Sequence, residues 1–520
     1  MQSCHWDKAY ACNLAADGSA MTLEQILQGV RLRGELSGDL RGKEIRGLEY
    51  DSRRVEAGFL FFAFPGSRAD GRQFAQAAVD RGAAAVASEL AAPEGFKGAW
   101  IEVEHGRRAL AQASGNFYGQ PDRSLGLTGV TGTNGKTTTA FLIDSILRAA
   151  GKTTLLVGTI EYRLAGEVRK AVNTTPESLD LYRLFHELVE RGGTHATMEV
   201  SSHALALDRV YGITFHTAVF TNLTRDHLDF HSSMDTYFAA KKLLFAPQGA
   251  PAPRWAVINH DDPHGAEIET TAEVIRYGFS PGADLRASGL EMNFEGLRFT
   301  LEYRSQKVEL RSPLVGKINA YNILAACGTA LSYGFDWETI TRGIADCRQV
   351  PGRFESVDQG QPFLVVVDYA HTDDALRSII AVARELHPKR VITLFGCGGD
   401  RDRSKRPLMG MAAGQSSDFV VLTSDNPRSE DPIAIMNDAL VGLRRFDVPH
   451  IVEPDRAKAI RAALHQARPG DIVILAGKGH EPYQVLKDRV IHFDDREAAR
   501  EALTALGFGS GGQGLVTGRW

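Results

Sequence analysis

The chain has 520 residues, of which 43% are hydrophobic and 24% charged, a composition typical of a globular protein of about three domains. Its net charge of −5 gives no overall positive field for nucleic acid or anionic membranes, so a polyanionic ligand must be held by local loops. The five cysteines form no C-x-x-C pair, and neither a membrane span of ~20 apolar residues nor a signal peptide is present. We therefore predict a protein of the reducing cytoplasm that binds no nucleic acid and inserts into no membrane.

The alternation of apolar runs with helical patterns predicts an α/β fold of three domains. We expect a disordered leader over 1–20 and a small N-terminal α/β domain over 21–105. A central domain with a parallel sheet around a phosphate loop is expected over 106–350, and a C-terminal Rossmann-like α/β domain over 351–506. Residues 507–520 are expected to form a flexible tail. In the first domain we predict a strand over 59–64 and a helix over 74–83.

The segment 130–138, Val-Thr-Gly-Thr-Asn-Gly-Lys-Thr-Thr, is the strongest motif of the chain. An apolar run leads into it and an amphipathic helical pattern leaves it, which is the strand–loop–helix context of a phosphate cradle. Lys136 is placed to reach terminal phosphates and Thr137 to hold Mg²⁺. The generic pattern requires Gly where Val130 stands, so a glycine-rich turn that binds nothing is the alternative.

Two further segments in the central domain carry metal-ligand chemistry. Glu199 ends an apolar run, and a carboxylate at a strand end beside a phosphate loop is suited to Mg²⁺. A second strand is expected to end within Phe220-Thr221-Asn222, and the following loop contains His227, which would ligate a second metal or orient phosphate. An ordinary polar loop is the alternative for His227.

Lys241 stands among apolar neighbours at helical spacing. Burial would lower its pKa and leave a neutral amine that reacts with CO₂ to give a carbamate, an anionic oxygen ligand for Mg²⁺. The residues alone favour the other interpretation, a surface lysine whose stem lies along apolar groups.

The segment 173–177, Asn-Thr-Thr-Pro-Glu, precedes an amphipathic helix. Thr174 and Thr175 are equally suited to cap that helix or to hold a substrate carboxylate at its positive end.

In the last domain four near-continuous apolar runs predict buried parallel strands over 363–370, 390–400, 418–428 and 471–481. All four end in polar, glycine-rich tips, and ligands bind outside the carboxyl ends of such strands. Arg401 on one tip and Arg428 on the next are suited to bidentate carboxylate binding, and Glu481 would accept from an ammonium group. A solvated turn at Asn426-Pro427 is the alternative.

Taken together, these motifs resemble the Mur ligase family from about Leu48 to about Leu506. The phrases that carry the resemblance occur in the family's order: TGTNGKTT, NTTPES, EVSSHAL, TNLTRDHLDFH, GKINAYNILAA, PGRFE, DYAHT, GGDRDRSKRPLMG, DNPR and GKGHE.

The resemblance implies an ATP-dependent amide ligase of peptidoglycan precursor synthesis. ATP would phosphorylate the D-Glu side-chain carboxylate of UDP-N-acetylmuramoyl-L-Ala-D-Glu, and an amine of meso-2,6-diaminopimelate would attack the acyl phosphate. Mg²⁺ would neutralise the phosphates, and we expect the enzyme to act as a monomer. Diaminopimelate carries a second carboxylate that lysine lacks, so an unpaired Arg428 would disfavour lysine.

The resemblance also assigns roles to individual residues. Lys136, Glu199, His227 and a carbamylated Lys241 would be catalytic, and the metal ligands would be Thr137, Glu199, His227 and Lys241. ATP would contact Thr131, Gly132, Thr133, Asn134, Gly135, Lys136, Thr137, Thr138, Asn319, Asn322 and Arg353. The UDP-muramoyl dipeptide would contact Ser52, Ser67, Thr174, Thr175, Ser201, Arg209 and His371. Diaminopimelate would contact Arg401, Asp425, Asn426, Arg428, Gly477 and Glu481.

Three rival interpretations are open at this stage. A folylpolyglutamate synthetase would share the phosphate loop but lack a domain before it and lack DNPR, and another Mur ligase would lack the combination of GGDRD, DNPR and GKGHE. A nucleotide-dependent switch would need no carboxylate-binding crevice in the last domain. The last domain is also expected to move about a hinge near Pro351.

Overall fold

The structure is a computed structural model that describes residues 21–66 and 69–509. The predicted leader and most of the predicted tail, residues 510–520, lie outside the described residues. Contacts group the chain into two units, the first extending to Asp284 with Ala325–Ile340 and the second formed by Leu285–Leu324 and the chain from Thr341 onward. The α/β prediction is confirmed, and the boundaries of the three domains stay a prediction.

The first unit opens with a small α/β lobe. Its strands are β1 (Met21–Thr22), β2 (Glu44–Ile45), β3 (Gly47–Glu49), β4 (Phe59–Phe62), β5 (Ala85–Ser88) and β6 (Trp100–Glu102). Its helices are α1 (Leu23–Ile26), α2 (Gly38–Arg41), α3 (Ala75–Asp80) and α4 (Gly106–Phe117). Strands β3 to β6 form a parallel sheet in chain order. The strand predicted over 59–64 is observed as β4, which ends at Phe62.

The rest of the first unit surrounds the phosphate loop. Its strands are β7 (Gly126–Thr131), β8 (Thr154–Val157), β9 (Glu161–Leu164), β10 (Glu167–Lys170), β11 (His195–Glu199), β12 (Thr217–Phe220), β13 (Trp255–Asn259) and β14 (Glu273–Gly278). Its helices are α5 (Lys136–Ala149), α6 (Ser178–Glu190), α7 (Ser202–Ala206), α8 (Leu228–His231) and α9 (Met234–Lys242).

The strand order β10-β9-β8-β11-β7-β12-β13-β14 places β7 in the middle of this sheet. Strands β11 and β12 pair with β7 in parallel on its two sides, so all three end at one edge. The predicted strands ending at Glu199 and within 220–222 are therefore confirmed, and their ends flank the phosphate loop.

The second unit begins with an antiparallel ribbon and continues into a Rossmann-like sheet. The ribbon strands are β15 (Leu285–Asn293), β16 (Gly296–Tyr303) and β17 (Gln306–Ser312), and α10 (Lys317–Ser332) and α11 (Trp337–Asp346) follow along the chain. The sheet strands are β18 (Glu355–Ser356), β19 (Leu364–Asp368), β20 (Val391–Cys397), β21 (Phe419–Ser424), β22 (His450–Glu453) and β23 (Ile472–Ala476). The remaining elements are α12 (Asp373–Glu385), α13 (Lys405–Ser416), α14 (Pro432–Leu443), α15 (Arg456–Gln466), β24 (Tyr483–Val485), β25 (Val490–His492) and α16 (Asp495–Ala505).

The order of that sheet is β18-β19-β23-β20-β21-β22, and all pairs except β18–β19 are parallel. Every residue of β20 and β23 is buried, as their unbroken apolar sequences predict. The four predicted strands of the last domain are confirmed. Because β23 lies between β19 and β20, its carboxyl end lies between the carboxyl ends of these two strands.

None of the helices in residues 21–66 and 69–509 combines the length and apolarity that a bilayer crossing requires. Of the cysteines within the described ranges, Cys327 and Cys397 are buried free thiols, and Cys347 is buried as well.

Candidate functional site

The phosphate loop between β7 and α5 adopts a backbone that glycine alone accommodates easily. Gly132 has φ 148° and Gly135 has φ 86°. A Cβ on Gly132 would lie 1.8 Å from the Thr221 Oγ1 atom. The loop ends where α5 begins at Lys136, so the positive end of a 14-residue helix adjoins it. This geometry is that of an anion cradle.

Residues after β12 hold the loop in place. The Thr133 N–H donates to the Asn222 backbone oxygen at 2.8 Å, and the Asn134 N–H donates to Asn222 Oδ1 at 2.9 Å. The Thr221 hydroxyl donates to the Asn134 oxygen at 2.6 Å. Asn222 was not among the predicted site residues, although its place after a strand that neighbours β7 was the signal that could have identified it.

Two predicted metal ligands lie in contact. The Thr137 hydroxyl donates to Glu199 Oε2 at 3.0 Å, and both residues are buried. The Thr159 N–H donates to Glu199 Oε1 at 2.8 Å, so the carboxylate is fixed by the chain around it. A hydroxyl and a carboxylate are hard oxygen donors, a set that fits Mg²⁺. Within residues 21–66 and 69–509, His, Cys, Asp and Glu form no group of three or more that could hold a metal ion.

Lys241 on α9 is 1% exposed, so the interpretation of a surface lysine is wrong. Its Nζ donates to the Gly132 oxygen at 2.7 Å and lies 4.3 Å from the centre of the Tyr237 ring. Burial, with a smaller contribution from the charge of Lys136, holds the pKa of this amine well below its usual value. The sequence missed the burial because α9 packs against the phosphate loop, which helical spacing does not reveal.

Lys136 itself donates to the Gly132 and Thr133 backbone oxygens, both at 2.9 Å. The Lys136 ammonium group therefore lies against the backbone of the phosphate loop.

His227 lies at the start of α8 with its side chain 44% exposed. Its ring is 4.8 Å from that of His203 and 6.0 Å from that of Tyr237, measured between centroids. The Tyr237 hydroxyl is 3.2 Å from the Thr133 Oγ1 atom, so His227 adjoins the phosphate loop through Tyr237.

The predicted dipeptide-binding residues gather around the carboxyl end of β11. The Thr175 hydroxyl donates to the Glu199 backbone oxygen at 2.9 Å and accepts from the Ser201 N–H at 3.1 Å. Thr174 Oγ1 is 3.1 Å from Thr159 Oγ1. Helix α6 begins at Ser178 with Glu177 as its N-cap residue, so the interpretation of Thr174 and Thr175 as helix caps is wrong. Their hydroxyls bond the ends of neighbouring strands instead.

Arg209 also lies in this group, beside two residues that were not predicted from the sequence, Glu177 and Arg107. Its Nη1 donates to the Thr175 oxygen at 3.0 Å, and its Nε is 3.0 Å from Glu177 Oε1. Arg107 of α4 lies 3.5 Å from the other oxygen of Glu177 and over the Phe64 ring at 4.7 Å. The segment 174–177 is thus fixed from both sides by arginines.

In the N-terminal lobe, Ser52 begins a short 3₁₀ turn after Asp51, whose carboxylate accepts from the Arg53 N–H at 3.0 Å. The buried Glu49 carboxylate accepts from the Tyr50 N–H at 3.0 Å and orients this turn. Ser67, the other residue predicted to face the uridine end, lies outside the described residues.

The second unit contains the remaining predicted ATP contacts. Asn322 Nδ2 donates to Asn319 Oδ1 at 3.0 Å, and both side chains are buried on one face of α10. Elsewhere in this unit, the Arg353 guanidinium lies 5.3 Å from the centre of the Tyr369 ring. His371 Nδ1 is 2.8 Å from the Tyr369 oxygen and its side chain is exposed.

Asp368, at the tip of β19, was missed. Its carboxylate accepts from the Phe354 and Ala370 N–H groups, both at 2.8 Å, and burial raises its pKa. The signal was an acid at the end of an apolar run, the pattern that identified Glu199.

The tips of β21 and β23 form a group that we call the strand-tip cluster, consisting of Asp425, Asn426, Lys478 and Glu481. Asn426 Nδ2 donates to Glu481 Oε2 at 3.0 Å. Lys478 Nζ donates to Asn426 Oδ1 at 3.1 Å and to Asp425 Oδ1 at 3.4 Å. A Cβ on Gly477 would lie 2.9 Å from Asp425 Oδ2, and φ at Gly477 is 115°. Carboxylates and an amide thus converge where parallel strands end.

Arg428 and Arg401 adjoin the cluster at the tip of β20. Arg428 Nη1 donates to the Gly399 oxygen at 2.7 Å, and a Cβ on Gly398 would lie 3.0 Å from the same nitrogen and 3.8 Å from Arg401 Cγ. Arg401 is exposed. The buried Arg406 donates to Glu430 at 2.7 Å, which anchors the chain beyond Arg428. The predicted crevice residues of the last domain therefore lie together.

Comparisons with known proteins give the family of the chain. Three family models match the chain: "Mur ligase family, catalytic domain" over residues 44–118, "Mur ligase middle domain" over 130–330 and "Mur ligase, glutamate ligase domain" over 352–479.

Among curated proteins, two similar relatives are both named UDP-N-acetylmuramoyl-L-alanyl-D-glutamate–2,6-diaminopimelate ligase. The one from Solibacter usitatus is 65% identical over 490 residues, which is 94% of this chain and 99% of the relative. The one from Geobacillus thermodenitrificans is 47% identical over 466 residues, 88% of this chain and 95% of the relative. A solved structure of a ligase with that name is 32% identical with a TM-score of 0.69, covering 94% of this chain and all of the other.

Proposed function

Because the chain belongs to the Mur ligase family, we propose that it joins meso-2,6-diaminopimelate to UDP-N-acetylmuramoyl-L-Ala-D-Glu with the conversion of ATP to ADP and phosphate. The observation that carries this proposal is the 65% identity, over 94% of the chain, to a relative named for that reaction. The likeness to a solved ligase of the same name, over the full length of that protein, supports it.

The first chemical step is phosphoryl transfer to the D-Glu side chain. A carboxylate oxygen bonds to the γ-phosphorus of ATP, the bond from phosphorus to the bridging oxygen breaks, and ADP leaves with its electron pair. The phosphate-loop cluster, consisting of Lys136, Thr137, Glu199 and Lys241, serves this step by position and charge. Backbone N–H groups of 132–135 and the Lys136 ammonium hold the transferring phosphate.

Thr137 and Glu199 would hold Mg²⁺, which supplies neutralisation of the phosphate charges when bound. Their contact at 3.0 Å in a buried position and their oxygen chemistry support this assignment. His227 would add a nitrogen ligand from its position beside Tyr237.

We further propose that Lys241 is carbamylated. Its buried amine, held neutral by its lowered pKa, reacts with CO₂ to form an N–C bond and release one proton, which turns a neutral group into an anion. Two observations support this: the side chain is 1% exposed, and its Nζ lies 2.7 Å from the Gly132 oxygen of the phosphate loop. The resulting anion would complete the metal-binding set.

In the second step an amine of diaminopimelate attacks the acyl carbon, a proton is lost, and phosphate leaves as the amide forms. The strand-tip cluster and Arg428 hold the end of diaminopimelate that does not react. Arg428 pairs with the distal carboxylate, while Asp425 and Glu481 accept from the distal ammonium group. Arg401 adds charge at the rim of the crevice.

The remaining substrate is held by residues of the first unit. The Thr174, Thr175, Ser201 and Arg209 side chains, already bonded to one another or to strand ends, would bind the muramoyl dipeptide. Ser52 and Ser67 would contact the uridine end, and His371 the dipeptide end. Asn319, Asn322 and Arg353 would contact ATP.

We place the reaction in the cytoplasm, where ATP and UDP-linked precursors are present, and propose that the enzyme acts as a monomer. Sedimentation equilibrium at micromolar concentration is expected to give the mass of one chain.

Phosphate release tests the proposal. It should require ATP, the UDP-linked dipeptide and meso-diaminopimelate together, and each omission should reduce it to background. Substituting L-lysine should also reduce it by at least about tenfold, because Arg428 would stay unpaired. Turnover that needs no amino acid, or that is equal with lysine, would refute the proposed substrate.

A further inference from the structure

The strand-tip cluster contains a charged group that the proposed reaction does not use directly. Lys478, at the tip of β23, is 0% exposed, whereas charged side chains are seldom fully buried unless they are paired. Because it is covered, its ammonium group cannot touch a substrate in the crevice. Its function must act through the residues that it contacts.

Those contacts are all acceptors. Lys478 Nζ lies 3.1 Å from Asn426 Oδ1, 3.4 Å from Asp425 Oδ1 and 3.8 Å from Glu481 Oε2. An ammonium group has three N–H donors and no acceptor: it donates hydrogen bonds to Asn426 and Asp425, and Glu481 lies at ion-pair distance. One cation therefore connects the amide and both carboxylates of the cluster.

The contact with Asn426 decides which way that amide faces. Oδ1 accepts from Lys478 and also from the Val485 N–H at 2.9 Å. A flipped amide would turn its NH₂ group towards two donors and lose both bonds. The NH₂ group is therefore directed to the other side, where one N–H bonds Glu481 Oε2 at 3.0 Å. The second N–H is left for a ligand carboxylate.

We propose that Lys478 is a positioning residue for amino-acid recognition: it fixes the Asn426 amide with its NH₂ towards the crevice and, as the cation between them, holds Asp425 and Glu481 in place to receive an ammonium group. This inference rests on the proposed function, since it concerns the diaminopimelate end of that reaction. The crevice thereby presents a donor to the carboxylate and acceptors to the ammonium, which is the arrangement that an α-amino acid requires.

Two neutral variants of similar length separate orientation from charge. Lys478→Met removes the charge and every donor, whereas Lys478→Gln removes the charge but keeps an N–H that can reach Asn426 Oδ1. We expect Lys478→Met to raise the KM for diaminopimelate on the order of 10- to 100-fold, with the KM for ATP changed less than about twofold. Lys478→Gln should recover at least about a third of the lost affinity. Equal KM values for the two variants would overturn the inference.

Asn426→Asp gives an independent test that leaves Lys478 in place. The carboxylate can still accept from Lys478 and from the Val485 N–H, but it loses the donor to Glu481 Oε2 and places a second carboxylate beside it, so we expect a folded protein with a lower melting temperature. It has no N–H to offer the crevice, so the KM for diaminopimelate should rise at least about tenfold. Wild-type affinity in Asn426→Asp would refute the proposed direction of the amide, even if neither Lys478 variant folds.

Lys458→Met is the matched control, because Lys458 is 62% exposed on α15 of the same unit. The same substitution there should leave all three KM values within about twofold. The wild-type protein separates the two hypotheses: no turnover of diaminopimelate by wild type refutes the proposed function, whereas normal wild-type turnover with equal Met and Gln variants refutes the role of Lys478 alone.

Discussion

The phosphate-loop cluster of the first unit and the strand-tip cluster of the second are built in different ways. The first depends on backbone: two positive-φ glycines, loop N–H groups that donate to Asn222, and a helix start. The second depends on side chains, with Lys478 connecting Asp425, Asn426 and Glu481. A backbone cradle binds phosphate whatever molecule carries it, while a side-chain crevice distinguishes one amino acid from another. Changes in the two clusters should therefore affect different kinetic constants.

The largest effect is expected from a side chain of the first cluster, which tests whether that cluster depends on its backbone alone. Lys241→Ala removes the buried amine and the anion proposed to form on it, and kcat should fall on the order of 10²- to 10³-fold or more. Short carboxylates such as formate, which supply an anion to the cavity, should restore part of the activity. Lys242→Ala, a change at the partly exposed neighbouring residue, is the control and should keep most activity. Full activity of Lys241→Ala would contradict the assignment.

The next effect tests the backbone directly. Gly132→Ala places a Cβ 1.8 Å from Thr221 Oγ1 and strains a positive φ, so the loop must shift. We expect kcat/KM for ATP to fall on the order of 10²-fold, since misplacement by about 1 Å has that cost. Gly151→Ala is the matched control, because φ there is 72° with no atom within 4 Å of the added Cβ. It should lower stability by about 1 kcal/mol and leave ATP kinetics unchanged.

A change beside the strand-tip cluster should affect the KM for diaminopimelate and leave that for ATP unchanged. Arg428→Ala removes the partner of the distal carboxylate, a charge-assisted bond worth about 1.5–3 kcal/mol. The KM for diaminopimelate should rise roughly 10- to 150-fold, with the KM for ATP unchanged, and discrimination against lysine should shrink by a similar factor. A parallel rise in both KM values would show that the two clusters are not kinetically separable.

The difference in construction also explains what could be predicted from the sequence. The phosphate loop is contiguous, so strand, glycines, lysine and helix appear together in 130–138, and the structure agrees with that pattern. Buried apolar runs predicted the four strands of the second unit and hence the clustering of their tips. Glu199 followed from its place at a strand end.

Other residues could not be predicted because their environment depends on distant parts of the chain. Lys478 contacts residues 52 and 53 positions away, and a lone Lys between glycines gives no sign of burial. The residues alone favoured a surface position for Lys241, because helical spacing does not show that α9 packs on a loop more than a hundred residues earlier. Arg107 and Glu177 pair across two elements whose packing has no local signature.

The smallest expected effect is on the pH dependence of stability, and it compares one histidine in each unit. Burial, with nearby charge, lowers the pKa of His195 in the first unit and of His480 in the second to about 4, from an ordinary value of 6.5. Between pH 6.5 and 4 the unfolded chain therefore binds protons that the folded units do not, and stability is lost as pH falls through this window. His195→Gln should reduce the decline of the first unit's calorimetric melting temperature between pH 7 and 5, and His480→Gln that of the second unit's. Each variant should leave the other transition unchanged, because the two imidazoles belong to separate units. An unaltered pH dependence in His195→Gln would show that the pKa of this imidazole is the same in the folded and the unfolded chain, which its partly buried position at the start of β11 argues against.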